Sequence, residues 1–349
     1  MSSDLQSPDE FDFDIPSGQI AVRPRPHAQH RLMKVDRRSG HVSHHDFAEI
    51  GTVLPSGSLL VINNSQVVKA ALRRRDKVSR LVQVLNPLEP DLARVAVTTP
   101  SDRDFAIDGG YFKLADVKDS VALGRIIPDD ARIVSLPDFL DQHGTIPIPV
   151  YVESERFKGA EDLDESAYAV CYAHVPGSLA CPTAGLHFYP ELMTALERAG
   201  HQFVEITLHI GYGSWGSLQS GSIAGYDLNA EEIHVEVDAL NAIWQAKRDQ
   251  RPVIAVGTTC VRTLESITHE ILNTKPPKNA VHRTTALFIH PPYQPRVADA
   301  LLTDFAYPKT PIMMMSAAFT DMSILRKSYD DAITRGYMFD IFGDALLLT

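Results

Sequence analysis

Apolar runs that end in polar residues mark the strands of this chain. Strands buried on both faces are continuously apolar, whereas half-covered strands alternate. The sequence predicts such strands at residues 58–64, 203–210, 251–257 and 286–290. The turn residues 37–40 separate two short runs, at residues 32–36 and 41–44, and therefore predict a hairpin.

Helical patterns follow several of these strands. Pro190 suits the first position of a helix, Glu191 faces the positive end of its dipole, and Gly200 suits the position just beyond its end. Amphipathic spacing predicts a further helix over residues 238–248, and another helix is predicted from about residue 261 to residue 272, after the strand at residues 251–257.

The pattern changes in the middle of the chain. Between residues 67 and 149, short alternating runs separated by Pro, Gly and Asp turns predict a small all-β barrel or sandwich inserted into the main domain. The main domain then comprises residues 11–66 and 150–349. Residues 1–10 are polar and acidic, which predicts a disordered leader rather than a signal or transit peptide.

Composition narrows the class of protein. The 349 residues are 44% hydrophobic and 22% charged, as in soluble globular proteins, and no apolar run approaches the ~20 residues of a membrane span. Cys171, Cys181 and Cys260 form no CxxC pair, which is typical of a reducing, cytoplasmic location. The net charge of −11 means that a nucleic-acid partner must meet a local basic patch. The histidines within residues 27–45 match no standard metal spacing, so no metal is predicted.

The stretch Ala-Cys-Pro-Thr-Ala-Gly-Leu-His-Phe, residues 180–188, is the strongest candidate for a site. It is too apolar for an ordinary surface loop and too broken by proline and glycine for a strand or helix. Thr183, Gly185 and His187 therefore fall on a tight turn ahead of a helix N-terminus, where backbone N–H groups favour an anion. A buried turn packed for shape explains the same residues equally well.

A glycine loop follows the predicted strand at residues 203–210. Residues 211–216 read G-x-G-x-x-G, but no helical period follows them, so we reject a dinucleotide fingerprint. Gly211 and Gly213 instead predict a loop where the backbone and His209 approach a ligand closely.

A second polar corner lies after the strand at residues 251–257. Thr258 and Thr259 join that strand to a helix, which predicts another ligand-binding turn. Arg262 and Glu265 lie three residues apart on that helix and are predicted to pair on one face. The pair fits a structural role as well as a binding role.

Several longer motifs point to one family. They lie at residues 11–16, 180–188, 208–211, 255–266, 299–303 and 343–345. Together they resemble the QueA family, the S-adenosylmethionine:tRNA ribosyltransferase-isomerases of queuosine biosynthesis, and the resemblance is collinear from about residue 11 to the C-terminus. It implies an α/β main domain with a mixed sheet, built from both chain ends, and an inserted β-barrel. The division drawn from the pattern agrees with this.

The resemblance also implies a reaction. The ribosyl moiety of S-adenosylmethionine is transferred to an aminomethyl-deazaguanine base of tRNA and rearranged to an epoxycyclopentane, with release of adenine and methionine. S-adenosylmethionine is then a co-substrate, and no prosthetic group is implied. The sulfonium acidifies the neighbouring C5′–H, so the site needs a general base. His187 and His209 are the candidates because neutral imidazole is available near pH 7, although each also fits a core histidine.

The remaining candidate residues are expected to contact the substrate. They are Thr183, Gly185, Gly211, Gly213, Thr258, Thr259, Arg262, Glu265, Asp299 and Thr303.

The chain departs from the family at several polar positions. The family's Asn-Asp-Thr-Arg-Val stands here as Asn-Asn-Ser-Gln-Val at residues 63–67, and its Thr-Asn-Phe-His as Thr-Asp-Phe-Ala at residues 303–306. Lost arginines and the gain of Asp304 weaken a phosphate clamp, which predicts an altered acceptor. Three functions stay open: a tRNA-modifying enzyme, a related enzyme with a small acceptor or none, and a non-catalytic RNA-binding or interaction protein. The sequence does not predict the oligomeric state.

Overall fold

A computed structural model describes residues 7–75, 81–89, 91–96, 104–118, 121–147, 165–211, 223, 226 and 228–349. The chain forms two compact units. The first comprises Met1–Gln66, Ser166–Pro176 and Cys181–Thr349, and the second comprises Val67–Glu165 and Gly177–Ala180. The domain boundaries predicted from the sequence remain predictions of where independently folding domains begin and end.

Strands are the main elements of both units. In chain order they are β1 (Arg31–Val35), β2 (Val42–Asp46), β3 (Leu59–Asn63), β4 (Ser65–Val67), β5 (Ala71–Arg73), β6 (Leu81–Glu89), β7 (Leu92–Ala96), β8 (Phe105–Ile107), β9 (Gly110–Lys118), β10 (Val121–Pro128), β11 (Val175–Ser178), β12 (Gln202–Leu208), β13 (Glu231–Val235), β14 (Val253–Val256), β15 (Val281–Thr285), β16 (Ala300–Asp304) and β17 (Ala345–Leu348).

A nine-stranded mixed sheet forms the centre of the first unit, in the order β15-β13-β12-β3-β14-β16-β17-β1-β2. The four neighbours β12, β3, β14 and β16 run parallel to one another. All five residues of β3 are buried, which explains its continuous apolar run. The strands predicted at residues 58–64, 203–210 and 251–257 are confirmed, and so is the hairpin, since β1 and β2 pair antiparallel.

Helices and short 3₁₀ turns are the other regular elements of the two units. The helices are α1 (Ile50–Val53), α2 (Leu136–His143), α3 (Pro190–Arg198), α4 (Val237–Arg248), α5 (Thr258–Ser266), α6 (Thr268–Leu272), α7 (Pro311–Phe319) and α8 (Met322–Thr334). Short 3₁₀ turns lie at Pro8–Phe11, Ser17–Gln19, His27–Gln29, Phe47–Glu49, Glu165–Tyr168 and Thr183–His187. The helix that begins at Pro190 is confirmed. In the part of the chain that the structure describes, no helix is long and apolar enough to span a membrane.

Two sequence predictions about these elements are wrong. Residues 286–290 form no strand, because the strand lies one segment earlier, where the polar edge strand β15 pairs with β13. The last residues of the predicted disordered leader are ordered: Ser7 and Glu10 form a reciprocal cap on the turn Pro8–Phe11. Residues 1–6 lie outside the described residues.

The second unit contains a separate six-stranded antiparallel sheet, in the order β5-β6-β7-β10-β9-β8. This confirms a small sheet of strands inserted into the chain, to which α2 adds a helix that the pattern did not predict. One isolated antiparallel bridge joins Arg74, just beyond β5, to Ile107 in β8. The short strands β4 and β11 pair with each other.

Candidate active site

Four parallel strands deliver polar residues to one edge of the large sheet. Asn63 ends β3, His209 follows β12, Thr258 lies two residues beyond the end of β14, and Asp304 ends β16. Because these strands are neighbours and parallel, their carboxyl ends meet at the same edge. This is where open α/β sheets bind ligands, and every residue of the cluster belongs to the first unit.

Asn63 holds the centre of this edge together. Its Nδ2 donates to the carbonyl of Leu208, at 3.0 Å, and to Oγ1 of Thr259, at 3.2 Å. Its Oδ1 accepts from the backbone N–H groups of Ser65 and Leu208. The side chain is completely buried, so all four bonds are shielded from water and fix three segments to one another.

His209 is held by a hydroxyl next to Asn63. Its Nδ1 lies 2.8 Å from Oγ of Ser65. Burial lowers the pKa of His209 and outweighs the nearby charge of Glu232, which acts to raise it. The ring is therefore neutral at pH 7. Within the described part of the chain nothing bonds to its Nε2. If Nδ1–H donates to Ser65, Nε2 presents a lone pair at the half-buried surface.

His187 belongs to a buried cluster around Asp304. Its Nε2 lies 2.9 Å from Oδ1 of Asp304, and its Nδ1 lies 2.9 Å from Nδ1 of His30. Thr183 donates to the other oxygen of Asp304 at 2.5 Å, and the His187 ring stacks on Phe47. Both ring nitrogens are therefore engaged within the protein, and His187 has no free nitrogen for a substrate.

The turn Thr183–His187 is packed for shape at its glycine. A Cβ built on Gly185 would lie 2.5 Å from the Tyr172 hydroxyl and 2.8 Å from Cγ1 of Val170. Gly185 is buried, so protein side chains already occupy the space above it. This favours the structural explanation of this position over a close approach to a ligand.

The corner after β14 has the predicted form. Gly257 adopts φ +87°, a conformation that favours glycine, and allows the chain to turn directly into α5. The helix therefore begins at Thr258, three residues earlier than predicted. Thr258 and Thr259 are half-buried in its first turn, near the positive end of the helix dipole. Oγ1 of Thr259 accepts from Asn63, and the Thr259 hydroxyl also bonds to the thiol of Cys260.

Arg262 and Glu265 do not pair with each other. Nη1 of Arg262 donates to Glu231, and its Nη2 donates to the carbonyls of Asn229 and Thr285. The pairing prediction is wrong because the two side chains leave the helix toward different neighbours. Arg262 thus connects α5 to β13 and β15. Burial lowers the pKa of Arg262 and outweighs the charge of Glu231, which acts to raise it.

Glu265 binds the backbone instead. Its carboxylate accepts from the N–H groups of Arg296, Val297 and Ala298 and from the Tyr293 hydroxyl. It is 5% exposed, so these four donors account for its burial. Arg262 and Glu265 are thus structural residues in this conformation.

The four remaining candidates lie elsewhere, are buried or bonded within the protein, or fall outside the described residues. Asp299 precedes β16 and so lies at the opposite edge of the sheet, where it binds Lys247 Nζ at 2.7 Å and the N–H of Val253 at 2.9 Å. Thr303 is buried within β16. Gly211 donates its N–H to Glu231, and Gly213 lies outside the described residues.

Sequence reasoning missed Ser65, His30 and Asp304. Ser65 and Asp304 stand at positions first noted only as departures from a family pattern, and His30 lies 157 residues from its partner. No local signal links them, because each bond joins distant segments. Asp344, in the motif at residues 343–345, is also structural: it pairs with both Arg25 and Arg31.

A cavity of about 270 Å³ opens beside the His187 cluster. Its walls include His27, His30, His187, Phe188 and Tyr189. Among the residues that the structure describes, no three His, Cys, Asp or Glu side chains are grouped so as to hold a metal ion.

Comparison with known proteins gives a consistent result. A family model described as "Queuosine biosynthesis protein" matches residues 8–348. A protein named S-adenosylmethionine:tRNA ribosyltransferase-isomerase from Natranaerobius thermophilus is 33% identical, over 97% of this chain and 98% of its own. Its namesake from Thermotoga maritima is 32% identical over the same shares of the two chains. The crystal structure of S-adenosylmethionine tRNA ribosyltransferase from Thermotoga maritima superposes with a TM-score of 0.55 at 27% identity, covering 97% of this chain and 100% of that one.

Proposed function

Because the chain belongs to the queuosine biosynthesis protein family, we propose that it is an S-adenosylmethionine:tRNA ribosyltransferase-isomerase. It transfers the ribosyl moiety of S-adenosylmethionine to an aminomethyl-deazaguanine base in tRNA, isomerises it, and releases adenine and methionine. The observation that carries this proposal is the match over residues 8–348 to that family. Relatives with this name align along nearly their whole length, which supports a complete reaction rather than a shared fragment.

The N-terminus of α5 is the proposed site for the methionine carboxylate. Unpaired backbone N–H groups and the helix dipole favour an anion there. Thr258 and Thr259 are half-buried and add hydroxyl groups at the same place. The α-carboxylate is the one anionic group of S-adenosylmethionine, so it is the part of the co-substrate that this corner selects.

His209 is the proposed general base. The base must be neutral, oriented, and open to the substrate at one nitrogen. His209 meets these conditions because burial lowers its pKa, Ser65 holds Nδ1, and Nε2 is left for the C5′ proton. Asn63 links this pair to Thr259, so the base and the carboxylate corner are held as one rigid edge. His187 does not compete for this role, since both its nitrogens are engaged.

The small sheet is proposed to close into a barrel. Its end strands are β5 and β8, and the bridge between Arg74 and Ile107 supports a closing contact between them. Backbone bonds extend this contact, because Arg75 donates to Ala106 and Asp108 donates to Arg73. A closed sheet has no unpaired edge, which suits a small inserted unit.

Acceptor-dependent turnover tests the proposed function. Purified protein and S-adenosylmethionine are incubated with tRNA that carries the aminomethyl-deazaguanine base or with the same tRNA carrying guanine there. We expect equal amounts of adenine and methionine to appear only with the modified tRNA. Release without any tRNA would instead support an enzyme with a small acceptor or none, the alternative suggested by the changed residues 63–67. Salt-dependent tRNA binding without turnover would support a binding protein.

Variants separate the base from the fold. His209→Gln should lower turnover by about 10²–10⁴-fold, the usual contribution of a general base. Ser65→Ala should lower it less, because the imidazole remains. The matched control is His269→Gln, which changes an exposed histidine on α6 and should leave turnover unchanged. Equal effects of His209→Gln and His269→Gln would refute the role of His209.

A further inference from the structure

His30, His187, Asp304 and Thr183 form one continuous chain of buried hydrogen bonds. It begins at the Arg25 carbonyl, which lies 3.1 Å from Nε2 of His30. It continues from His30 to His187 and on to Asp304, with both spacings at 2.9 Å, and it ends at the Thr183 hydroxyl. His30, His187 and Asp304 are each at most 7% exposed, so water does not complete any of these contacts.

The contacts fix the number of protons in this series of hydrogen bonds. A carbonyl only accepts, so Nε2 of His30 carries a hydrogen. A neutral His30 then has a bare Nδ1, and Nδ1 of His187 must donate to it. The remaining nitrogen of His187 faces a carboxylate oxygen, which also needs a hydrogen between them. Every contact is satisfied only if His187 and Asp304 together hold one proton more than a neutral histidine and a carboxylate.

A second histidine–aspartate pair shows that this requirement is not general. His44 lies 3.0 Å from Asp331 through Nε2 and 2.9 Å from the Tyr337 hydroxyl through Nδ1. The phenol can donate, so a neutral His44 satisfies both contacts without an added proton. At His187 the second partner is the bare nitrogen of another histidine, and this difference creates the demand for a proton.

Among the residues that the structure describes, the basic side chains that act on His30, besides His187, are those of Arg25 and His27. Burial, and then the charge of His187, lowers the pKa of His30 to about 3, so His30 is neutral. Burial raises the pKa of Tyr172, Cys181 and Tyr329, which face Asp304, so all three are neutral. His27 contacts the His30 ring, and uncharged Phe47 covers His187.

We propose that the His187–Asp304 hydrogen bond stores a proton and acts as the acid of the reaction, opposite to the base His209. The acid role rests on the proposed function; the stored proton does not. When the bond from ribose C1′ to adenine breaks, its electron pair stays on adenine, which then takes up one proton. Delivery of the stored proton leaves a neutral His187 and the Asp304 carboxylate. Thr183 is half-buried at the outer end of this series of hydrogen bonds. Its hydroxyl hydrogen turns from Asp304 to adenine and is replaced by the stored proton, which passes from His187 through the Asp304 carboxyl group. Two titratable sites whose environments drive them to opposite protonation states are a common basis for acid and base roles.

The stored proton is tested without turnover. Full-length protein with nitrogen-15-labelled histidine gives a long-range hydrogen–nitrogen spectrum of the rings, and the His187 signals are those lost in His187→Gln. At pH 7 we expect hydrogens on both nitrogens of His187 and on one nitrogen of His44. Asp304→Asn should remove one of the two from His187, whereas Asp331→Asn should leave His187 unchanged. A single hydrogen on His187 in the unaltered protein, together with an ionised Asp304 carboxylate read from its carbon-13 chemical shift, would overturn the proposal, whether or not the variants fold.

The acid role is tested by the pH dependence of adenine release. The unaltered protein should lose activity at alkaline pH as the stored proton is lost. Asp304→Asn should be slower and should lack this alkaline decline, and Thr183→Val should be slower while keeping it. An alkaline decline that persists in Asp304→Asn would overturn the acid role even if the spectra show the proton. Failure of turnover with every acceptor would refute the proposed function and leave the spectra to decide the proton.

Discussion

Replacing Glu231 by Gln should severely destabilise the first unit. Glu231 and Arg262 are 4% and 3% exposed, and their ion pair joins β13 to α5. Gln keeps the size of the side chain and can still accept one hydrogen bond, but it removes the charge that compensates the guanidinium. Removing one partner of a buried pair costs about 3–5 kcal/mol. The remaining bonds from Arg262 to the carbonyls of Asn229 and Thr285 place our expectation near the lower end, about 3 kcal/mol.

Such a loss is a large share of the about 5–15 kcal/mol that stabilises a typical domain. Urea unfolding followed by circular dichroism measures it as a shift of the transition midpoint. Glu232→Gln is the matched control: Glu232 is the next residue of β13, and its partner His282 is exposed. This control should change stability by less than about 0.5 kcal/mol. If Glu231→Gln costs less than about 1 kcal/mol, or no more than the control, the buried pair does not hold these elements together.

Three further predictions concern other residues of the first unit. Gly185→Ala should destabilise the protein by about 1–3 kcal/mol in urea unfolding because its Cβ meets Tyr172 and Val170, whereas Gly18→Ala meets nothing and should be neutral. Burial acts to raise the pKa of Asp344, but hydrogen bonds from Met338 and Arg25 outweigh it, and the pKa lies below 3.8. The stabilisation that the Asp344 carboxylate gives the folded state is therefore present above pH 3.8 and is lost as pH falls through its folded pKa. The difference in unfolding free energy between the unaltered protein and Asp344→Asn should narrow below pH 3.8, and a difference independent of pH would contradict this. Thr259→Val should raise the Kd for S-adenosylmethionine about 5- to 12-fold in calorimetry, the loss of one hydrogen bond of about 1–1.5 kcal/mol, and an unchanged Kd would exclude the hydroxyl from the site.

Local pattern was sufficient to predict the elements that local chemistry determines. The buried strand β3 follows from an unbroken apolar run, and the start of α3 follows from Pro190. The Gly-Thr-Thr corner was predicted because strand, turn and helix are adjacent in sequence. The strand prediction at residues 286–290 is wrong because a short apolar run does not by itself show that it is the strand. Here the polar residues before it pair with β13 instead.

The chemistry of the edge depends on contacts that sequence spacing does not reveal. The sequence pattern predicts that Asp304 weakens phosphate binding, yet in the structure Asp304 binds Thr183 and His187 from 121 and 117 residues away. Arg262 was assigned a partner three residues along its helix, but its charge is met by Glu231 from another strand. Asp299 and Thr303 belong to one motif, and the length of β16 separates Asp299 from the polar edge. These outcomes depend on register and strand order, which are set by the tertiary fold.

The central claim is tested most directly by the mass of the modified base. After incubation with S-adenosylmethionine, tRNA carrying the aminomethyl-deazaguanine base is digested to nucleosides and analysed by mass spectrometry. The account predicts that this nucleoside gains the ribosyl-derived group with the unaltered protein and with His269→Gln, and much more slowly with His209→Gln. An unchanged nucleoside mass, with adenine and methionine nevertheless released, would contradict transfer to tRNA.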